Sequence, residues 1–468
     1  MAGVDRLDML PDVLLSMIVS SLPFKEAVRT SILSKRWVRI WQATKNIELE
    51  EVFFVGREPA DQQTRDARRR GFIEFCMNFL RLYQEPTVRK FSLSLSNPRG
   101  DGNGGFVDEC IRFAVYRNVE DLELDFSNSA WIEDDDDGVQ PESMFDLPPI
   151  VYGHENLRSL KLYACGFRPA EFENLNALRH LSLGWLEVGI GEIRYFLKKC
   201  PLLESLNLKR CWNATHFEIW GNKDNLRLRR LAIEQCKFLN DWISVEAPNL
   251  TYFRYSGSVG SFRMDVNRCF EEADLSFEID DEDDHSEIAN LLYILLDSLY
   301  SAKVLSVCSS LLQVIPNGEE PIQMQAPLNV QHLTFSTSIH PNEFYGIAFL
   351  LNSCPHLSTL TLMLGEGNVL QEYEPPFALD ITRFWETNMT IMTCLSKSLE
   401  IVDARGFTGT PNEITFLAYL IHYGRRLRGV FVAVDSDDGF ENTQIYTRKA
   451  QILNNIKPAS RNLQVHIY

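Results

Sequence analysis

Apolar and polar positions follow two different periods along this chain, one at the front and one through most of the remainder. In "LPDVLLSMIVSSLPFKEAVRTSILSKRWVRIW" (10–41), Leu14, Ile18 and Leu22 recur every four residues, and Leu15 and Val19 broaden the stripe. That spacing predicts an amphipathic helix. Pro11 is tolerated in its first turn, Asp12 suits the positive end of its dipole, and Pro23 stops it. A second short helix is predicted over Lys25 to Ser31, and "KRWVRIW" sets Trp37 and Trp41 on one face of a third. Helices this short are marginal alone, and a unit of roughly 40 residues cannot fully bury so many Leu, Ile, Val and Trp side chains. Some must pack elsewhere, either on the chain that follows, as a cap, or on another protein.

Past residue 85 the pattern becomes Leu-x-x-Leu-x-Leu with apolar substitutes: Val88, Phe91, Leu93; Val119, Leu122, Leu124; Leu157, Leu160, Leu162; Leu178, Leu181, Leu183. It continues at Leu203, Leu206, Leu208; Leu228, Leu231, Ile233; Leu250, Phe253, Tyr255, and more loosely at Ala302, Leu305, Val307; Val330, Leu333, Phe335; Leu357, Leu360, Leu362. From Leu157 to Leu250 the starts are 21 to 25 residues apart, within the range of leucine-rich repeats. Each repeat supplies one short strand whose alternate side chains can be buried only against neighbouring repeats, so stacking gives a curved solenoid. Cys165, Cys211 and Cys236 fall where the repeat calls for Asn or Cys and are expected to form a buried ladder. "CPLLESLNL" (200–208) and "CPHLSTLTL" (354–362) share a Cys-Pro entry, which carries the solenoid into the later section.

Composition narrows the classes. At 468 residues, 45% hydrophobic and 24% charged, the chain is long enough for many repeats and near globular averages. A net charge of −18 repels a phosphate backbone and argues against general nucleic-acid binding. Much of the acid lies in "EDDDDG" (133–138) and "DDEDDHSE" (280–287), read as solvated loops. "RDARRR" (65–70) is likewise read as a solvated loop rather than an import signal. With no secretion signal and no long apolar span, the expected location is cytoplasm, nucleus or both, and no membrane association is expected. The 10 cysteines show no Cys-x-x-Cys pair, so neither a zinc site nor a disulfide framework is indicated. "RGDGNGG" (99–105) lacks a phosphate-loop ending, and neither HExxH nor Gly-x-Ser-x-Gly occurs. No catalytic residue, metal ligand or cofactor is assigned.

The front segment resembles the F-box of plant F-box proteins, through the Leu10-Pro11 start, the Leu14 and Ile18 face, "AVRTS" (27–31) and "LSKRW" (33–37). Val13 departs from the acidic residue frequent there. "FIEFCMNFLRLYQEPTVRKFSLSL" and "VDECIRFAVYRNVEDLELDF" resemble the start of the repeat region in F-box proteins with leucine-rich repeats. "SLEIVDARGFTGTPNEITFLAYLIHYGRRLRGVFV" (398–432) resembles the FBD region that closes many of them, although "HYG" (422–424) stands where Asn-Ala is frequent. The resemblance implies an α/β chain: a three-helix F-box over 5–45, an irregular leucine-rich-repeat solenoid (horseshoe) over 72–385, and an FBD region over 386–465 acting as a terminal cap. It further implies a non-catalytic substrate-recognition subunit of an SCF-type ubiquitin ligase, joined through a Skp-type adaptor to cullin and RING proteins. In that role Leu10, Pro11, Leu14, Ile18, Leu22, Leu33 and Trp37 form or support the adaptor surface. The alternative is a repeat scaffold uncoupled from any ligase, with the front helices buried as a cap. The receptor reading requires Leu10, Pro11 and Leu14 to be partly exposed.

The residues between the apolar strand positions point to the opposite, concave face. Across five repeats that face holds Lys161, Lys209, Arg230 and Arg254 against a single acid, Glu234. It is therefore expected to receive an acidic or phosphorylated protein segment, with Tyr163 and Tyr252 adding contact area.

Overall fold

The computed structural model describes residues 7, 9–42, 44–56, 62–96, 98, 103–127, 144–166, 168–173, 175–220, 226–266, 269–316, 323–365, 367–370, 373–381, 383–387, 392–436 and 439–468. The chain divides into two compact units, Met1–Ala214 and Thr215–Tyr468.

The first unit opens with helices α1 (Asp12–Ser20), α2 (Phe24–Arg29) and α3 (Lys35–Gln42). Strands β1 (Asn46–Glu50), β2 (Lys90–Ser94) and β3 (Asp121–Asp125) follow, paired in parallel and in that order. Ser159–Tyr163, His180–Gly184 and Ser205–Lys209 extend the same ladder, again in parallel. Every apolar position of the repeat triads in this unit is buried, from Val88 at 1% exposure to Leu208 at 1%. The repeats share two backbone devices. One is a carbonyl just before each strand that accepts two N–H groups from the next repeat: Glu120 O from Arg158 N (2.8 Å) and Ser159 N (3.1 Å), and Arg179 O from Glu204 N (2.8 Å) and Ser205 N (3.0 Å). The other is a left-handed residue just after the strand: Ala164 (φ 54°), Trp185 (φ 49°) and Arg210 (φ 48°). These residues turn the chain off the sheet without a glycine, at a conformational cost that the buried triads offset.

The thiols serve the backbone as well. Cys165 Sγ lies 3.7 Å from Leu124 O and Cys211 Sγ 3.5 Å from Leu183 O, each reaching the strand of an earlier repeat. Cys165 and Cys211 are buried and Cys236 is half-buried. Burial pushes the Cys165 thiol well up and Cys200 to about 12, which leaves both without thiolate character at neutral pH.

The second unit carries its own ladder of nine parallel strands, from Arg230–Glu234 to Gln464–Ile467. Three further parallel strands, Phe217–Trp220, Trp242–Glu246 and Ser261–Asp265, form a separate sheet. Strand Glu272–Glu278 escapes the sequence pattern because Ala273 occupies an apolar strand position.

The FBD segment closes the ladder by continuing it, covering the edge of the preceding repeat with strands of its own. Ile401–Phe407 pairs with Thr359–Leu364 on one side and with Gly429–Val434 on the other, in the same parallel sense. Leu399, Val402, Ala404 and Leu427, Val430, Val432 are two more repeat triads, all fully buried. A shared motif reinforces the continuity. His340-Pro341-Asn342-Glu343 precedes helix Phe344–Ser353, and Thr410-Pro411-Asn412-Glu413 opens helix Pro411–Tyr423. Glu343 is buried and accepts from Ser309 Oγ (2.5 Å), Thr337 Oγ1 (2.8 Å) and His340 N (2.6 Å). Glu413 accepts from Thr408 N (3.0 Å), Thr408 Oγ1 (2.9 Å) and Gly409 N (2.8 Å). Both carboxylates satisfy the donors of a strand-to-helix turn, a repeat device that apolar periodicity cannot reveal.

Of the polar stretches read as solvated loops, 65–70 is helical, whereas 280–284 is an exposed loop as expected. "RDARRR" lies in helix Gln62–Leu82, where Arg69 pairs with Glu51 at 2.5 Å and Arg68 Nη1 donates to Val55 O at 2.8 Å. In "DDEDDHSE", Asp284 caps helix His285–Ser298 by accepting from Ser286 N and Glu287 N. The run 133–138 lies outside the described residues.

Candidate functional site

The front module has two apolar faces. Leu15 and Val19 of α1 turn inward, together with Trp37, Ile40 and Trp41 of α3. Trp41 stacks on Phe79 of helix Gln62–Leu82 (5.4 Å, 14°), and Phe24 meets the same ring edge-on at 5.4 Å. Polar links add to this joint: Asn46 Nδ2 donates to Ser20 O (3.2 Å) and Tyr83 Oη to Thr44 O (3.0 Å). The inner face of the module is thus fixed to the first repeats. Arg36 holds its leading edge by donating to Asp12 Oδ1 (2.7 Å) and Leu10 O.

The second face is open. Leu14 (45%), Ile18 (43%) and Leu22 (36%) are exposed, as are Leu33 (60%) and their neighbours Val13, Met17 and Ile32. Pro11 is exposed and Leu10 half-buried. The four-residue stripe read from the sequence is therefore the outward stripe of α1, while Leu15 and Val19 form a separate inward one. Of the residues read as forming or supporting the adaptor surface, Trp37 is buried at 5% exposure and is not part of the open face itself. Its spacing from Trp41 marks the face that packs inward. So many large apolar side chains on one small module are expensive to hydrate and mark a protein interaction surface.

The ladder's inner face differs from the basic surface expected of it. In the first unit Lys161 Nζ lies 3.3 Å from Glu123, whose strand neighbours its own. In the second, Arg254 lies 3.5 Å from Asp274 and 3.9 Å from Glu234. Two of the four cations are thus paired with acids, and the tally over five strands missed Glu123 and Asp274. The other two are held by aromatic rings: Lys209 Nζ sits 5.1 Å from the Trp185 ring centre and the Arg230 guanidinium 3.8 Å from Tyr252. Tyr163 lies on the face of the first unit, its ring against Gly184, where a Cβ would come within 2.4 Å.

The first three strands, which the sequence reading did not count, place Glu48, Glu50, Asp121, Glu123 and Asp125 on that face with Lys90. Lys90 Nζ is 2.6 Å from Glu48 and 4.0 Å from Glu123. Burial, then the charges of Glu48 and Glu123, push the Glu50 carboxyl upward; burial does the same to Asp121 and Asp125. Among the described residues no group of three His, Cys, Asp or Glu could hold a metal ion. Nor is any helix there long and apolar enough to cross a membrane.

Comparison with known proteins settles the lineage. Family models match in chain order: the F-box domain over 7–47, the "At1g61320/AtMIF1, LRR domain" over 80–375, and the FBD over 390–430. This chain belongs to the F-box/LRR-repeat family. An Arabidopsis thaliana putative F-box/LRR-repeat protein is 33% identical over 428 residues, covering 90% of this chain and 87% of the relative. An Arabidopsis thaliana putative F-box protein is 36% identical over 427 residues, covering 89% and 88%. An Arabidopsis thaliana F-box/FBD/LRR-repeat protein is 26% identical over 442 residues, covering 90% and 88%. The order of the F-box, repeat and FBD segments resembled from sequence is the order of the matched models.

Proposed function

We propose that this F-box/LRR-repeat protein is the substrate-recognition subunit of an SCF-type cullin-RING ubiquitin ligase, acting in the cytoplasm or nucleus. The observation that carries the reading is the division of labour within the front module. One apolar face is locked to the repeats by Trp41 and Phe79, while Leu14, Ile18, Leu22 and Leu33 stay exposed beside Pro11. A cap alone has no use for the second face. A Skp-type adaptor docked there would cover it, and the adaptor would carry the cullin and RING proteins.

The repeats would then hold a target protein on the inner faces of the ladder strands, where Tyr163 and Lys209 of one unit and Arg230 and Tyr252 of the other stand. Lys161 and Arg254 would act there through the acids they already pair with. The chain supplies no covalent step in this scheme. It raises the effective concentration of the target near a charged conjugating enzyme, and other subunits perform the transfer.

The test is co-elution of the full chain with a purified Skp-type adaptor. The intact chain should form a stable complex, and the Leu14→Ala/Ile18→Ala variant should lose roughly a hundredfold in affinity, as buried interface anchors do. A folded wild-type chain that ignores the adaptor would leave a free-standing repeat scaffold as the reading.

A further inference from the structure

The first unit carries a groove of about 510 Å³ at the N-terminal edge of its ladder strands, and the charges lining it are sorted by row. Its acids, Glu120, Asp121 and Glu123, all come from β3 and the residue before it. The β2 row on one side answers them with Arg89 and Lys90. On the other side the next two rows, Ser159–Tyr163 and His180–Gly184, contribute Arg158, Lys161, Arg179 and His180 and no carboxylate. Acid returns one row further on, as Glu204 ahead of Ser205–Lys209.

The residue just before each strand shows what this order does. Along four successive rows it is Glu120, Arg158, Arg179 and Glu204, tied row to row by N–H groups donated to Glu120 O, Arg158 O and Arg179 O. Arg158 Nη1 lies 3.3 Å from Glu120 on one side, and Arg179 Nη1 pairs with Glu204 on the opposite side. The two arginine rows are adjacent, about 4.8 Å apart at the backbone, so the guanidiniums flank a cationic saddle. Ser159 and the exposed His180, the first residues of those two strands, line the same groove. Both arginine side chains remain open to solvent, Arg158 at 60% and Arg179 at 43% exposure.

We propose that this saddle holds a phosphoryl group carried on a serine or threonine of the recruited protein. The inference rests on the receptor reading and gives it a substrate class. It narrows the acidic or phosphorylated segment expected from sequence to the second kind, and moves its address from the strand centres to their N-terminal edge. Lys161 stays with Glu123 (3.3 Å) and Lys90 with Glu48 (2.6 Å), which leaves the two arginines as the recognition pair. A guanidinium has five N–H donors, and each of these spends Nη1 on its carboxylate, so both keep donors for a further acceptor. An incoming Asp or Glu would offer only what Glu120 and Glu204 already supply. A phosphomonoester carries about two negative charges and three acceptor oxygens at neutral pH, so one group can accept from both guanidiniums at once. A run of acids is disfavoured, because its neighbours would meet Asp121 and Glu123 in the same groove. The recognised feature is one phosphoryl group, not a negative stretch.

The experiment immobilises the full chain, alone and bound to its adaptor, and offers three degenerate peptide libraries of about twelve residues, long enough to cross the groove. They differ only at the central position, which is phosphoserine, glutamate or serine. The phosphoserine library should be retained about tenfold above the other two, and less as salt rises. Arg158→Gln/Arg179→Gln should abolish that preference while keeping the adaptor, because both side chains are exposed and such surface pairs add little stability. Arg112→Gln removes an exposed cation from helix Asn103–Tyr116 and should leave the preference intact. Equal retention of the glutamate and phosphoserine libraries, undiminished retention by the Gln double variant, or an equal loss in Arg112→Gln would overturn the proposal. So would release of the retained peptides by free O-phosphoserine at their own concentration, which would make a small phosphate ester the ligand. Adaptor co-elution from the same samples separates the two readings. A chain that holds the adaptor without preferring phosphoserine sinks only the substrate class; a chain that prefers phosphoserine but ignores the adaptor sinks only the ligase role.

Discussion

The front module and the repeats treat the same kinds of side chain in opposite ways. In the repeats every leucine-type triad position is covered by the next strand, and the units expose mainly polar atoms along the ladder. In the module, Leu14 and Leu15 are neighbours in sequence yet one is 45% exposed and the other fully buried. A helix has faces to spare, whereas a stacked strand has one face for the core and one for solvent. A short helical module can therefore be anchored and adhesive at once. A repeat keeps its adhesive residues on the inner strand face, where polarity and charge must carry recognition.

The largest expected effect comes from breaking the joint between these regions. Trp41→Ala removes the ring stacked on Phe79 and the edge contact with Phe24. A buried Trp→Ala change costs about 3–5 kcal/mol. The loss should appear in chemical denaturation as early release of α1 to α3, before the ladder unfolds. A single transition shifted as a whole would mean that the module and the first repeats melt as one cooperative body.

How much of this was readable beforehand follows from the range of each interaction. Leu14, Ile18 and Leu22 are linked by a local period, so the outward stripe of α1 could be read directly, and ten repeat triads likewise marked strands. Trp37 was grouped with the adaptor surface through the F-box resemblance, as forming or supporting it; its helical period with Trp41 shows that the two share a face without showing which way the face turns. The inner-face charges were misread for a different reason. Glu123 lies 38 residues before Lys161, and only the strand register makes them neighbours. The last two triads went unrecognised because Ala404 and the valines diluted the leucine pattern. The repeated Pro-Asn-Glu turn, which could have tied them to the preceding repeat, carries no hydrophobic signal.

A smaller effect sharpens the comparison from the module's open side. Leu14→Ala/Ile18→Ala should change the stability of the isolated chain by no more than about 0.5 kcal/mol, because exposed positions contribute little packing. A single such change in a repeat, Leu160→Ala, removes a fully buried side chain and should cost about 2–5 kcal/mol. Equilibrium denaturation of the two variants measures the contrast. A similar penalty for both would mean that the open face is covered within the isolated chain, and the adaptor reading would lose its physical basis.

The smallest effect probes the inner face. Burial and the neighbouring Glu48 and Glu123 raise the Glu50 pKa, so its protonated form is the one folding favours. A group raised in this way contributes stability that is fully present below its ordinary value of 4.5 and is lost as pH rises through the folded value. At neutral pH the native chain therefore carries a charge that opposes folding, and Glu50→Gln does not. The variant should melt slightly higher than the parent at neutral pH, by up to about one degree, and the difference should vanish near pH 3.5, where both side chains are uncharged. Thermal melts at the two pH values check the sign. A Gln variant that melts lower at neutral pH would show that Glu50 is already satisfied in the free chain. Its part of the face would then be a settled part of the fold, as the leucine triads are, and not an open surface like the outer stripe of α1.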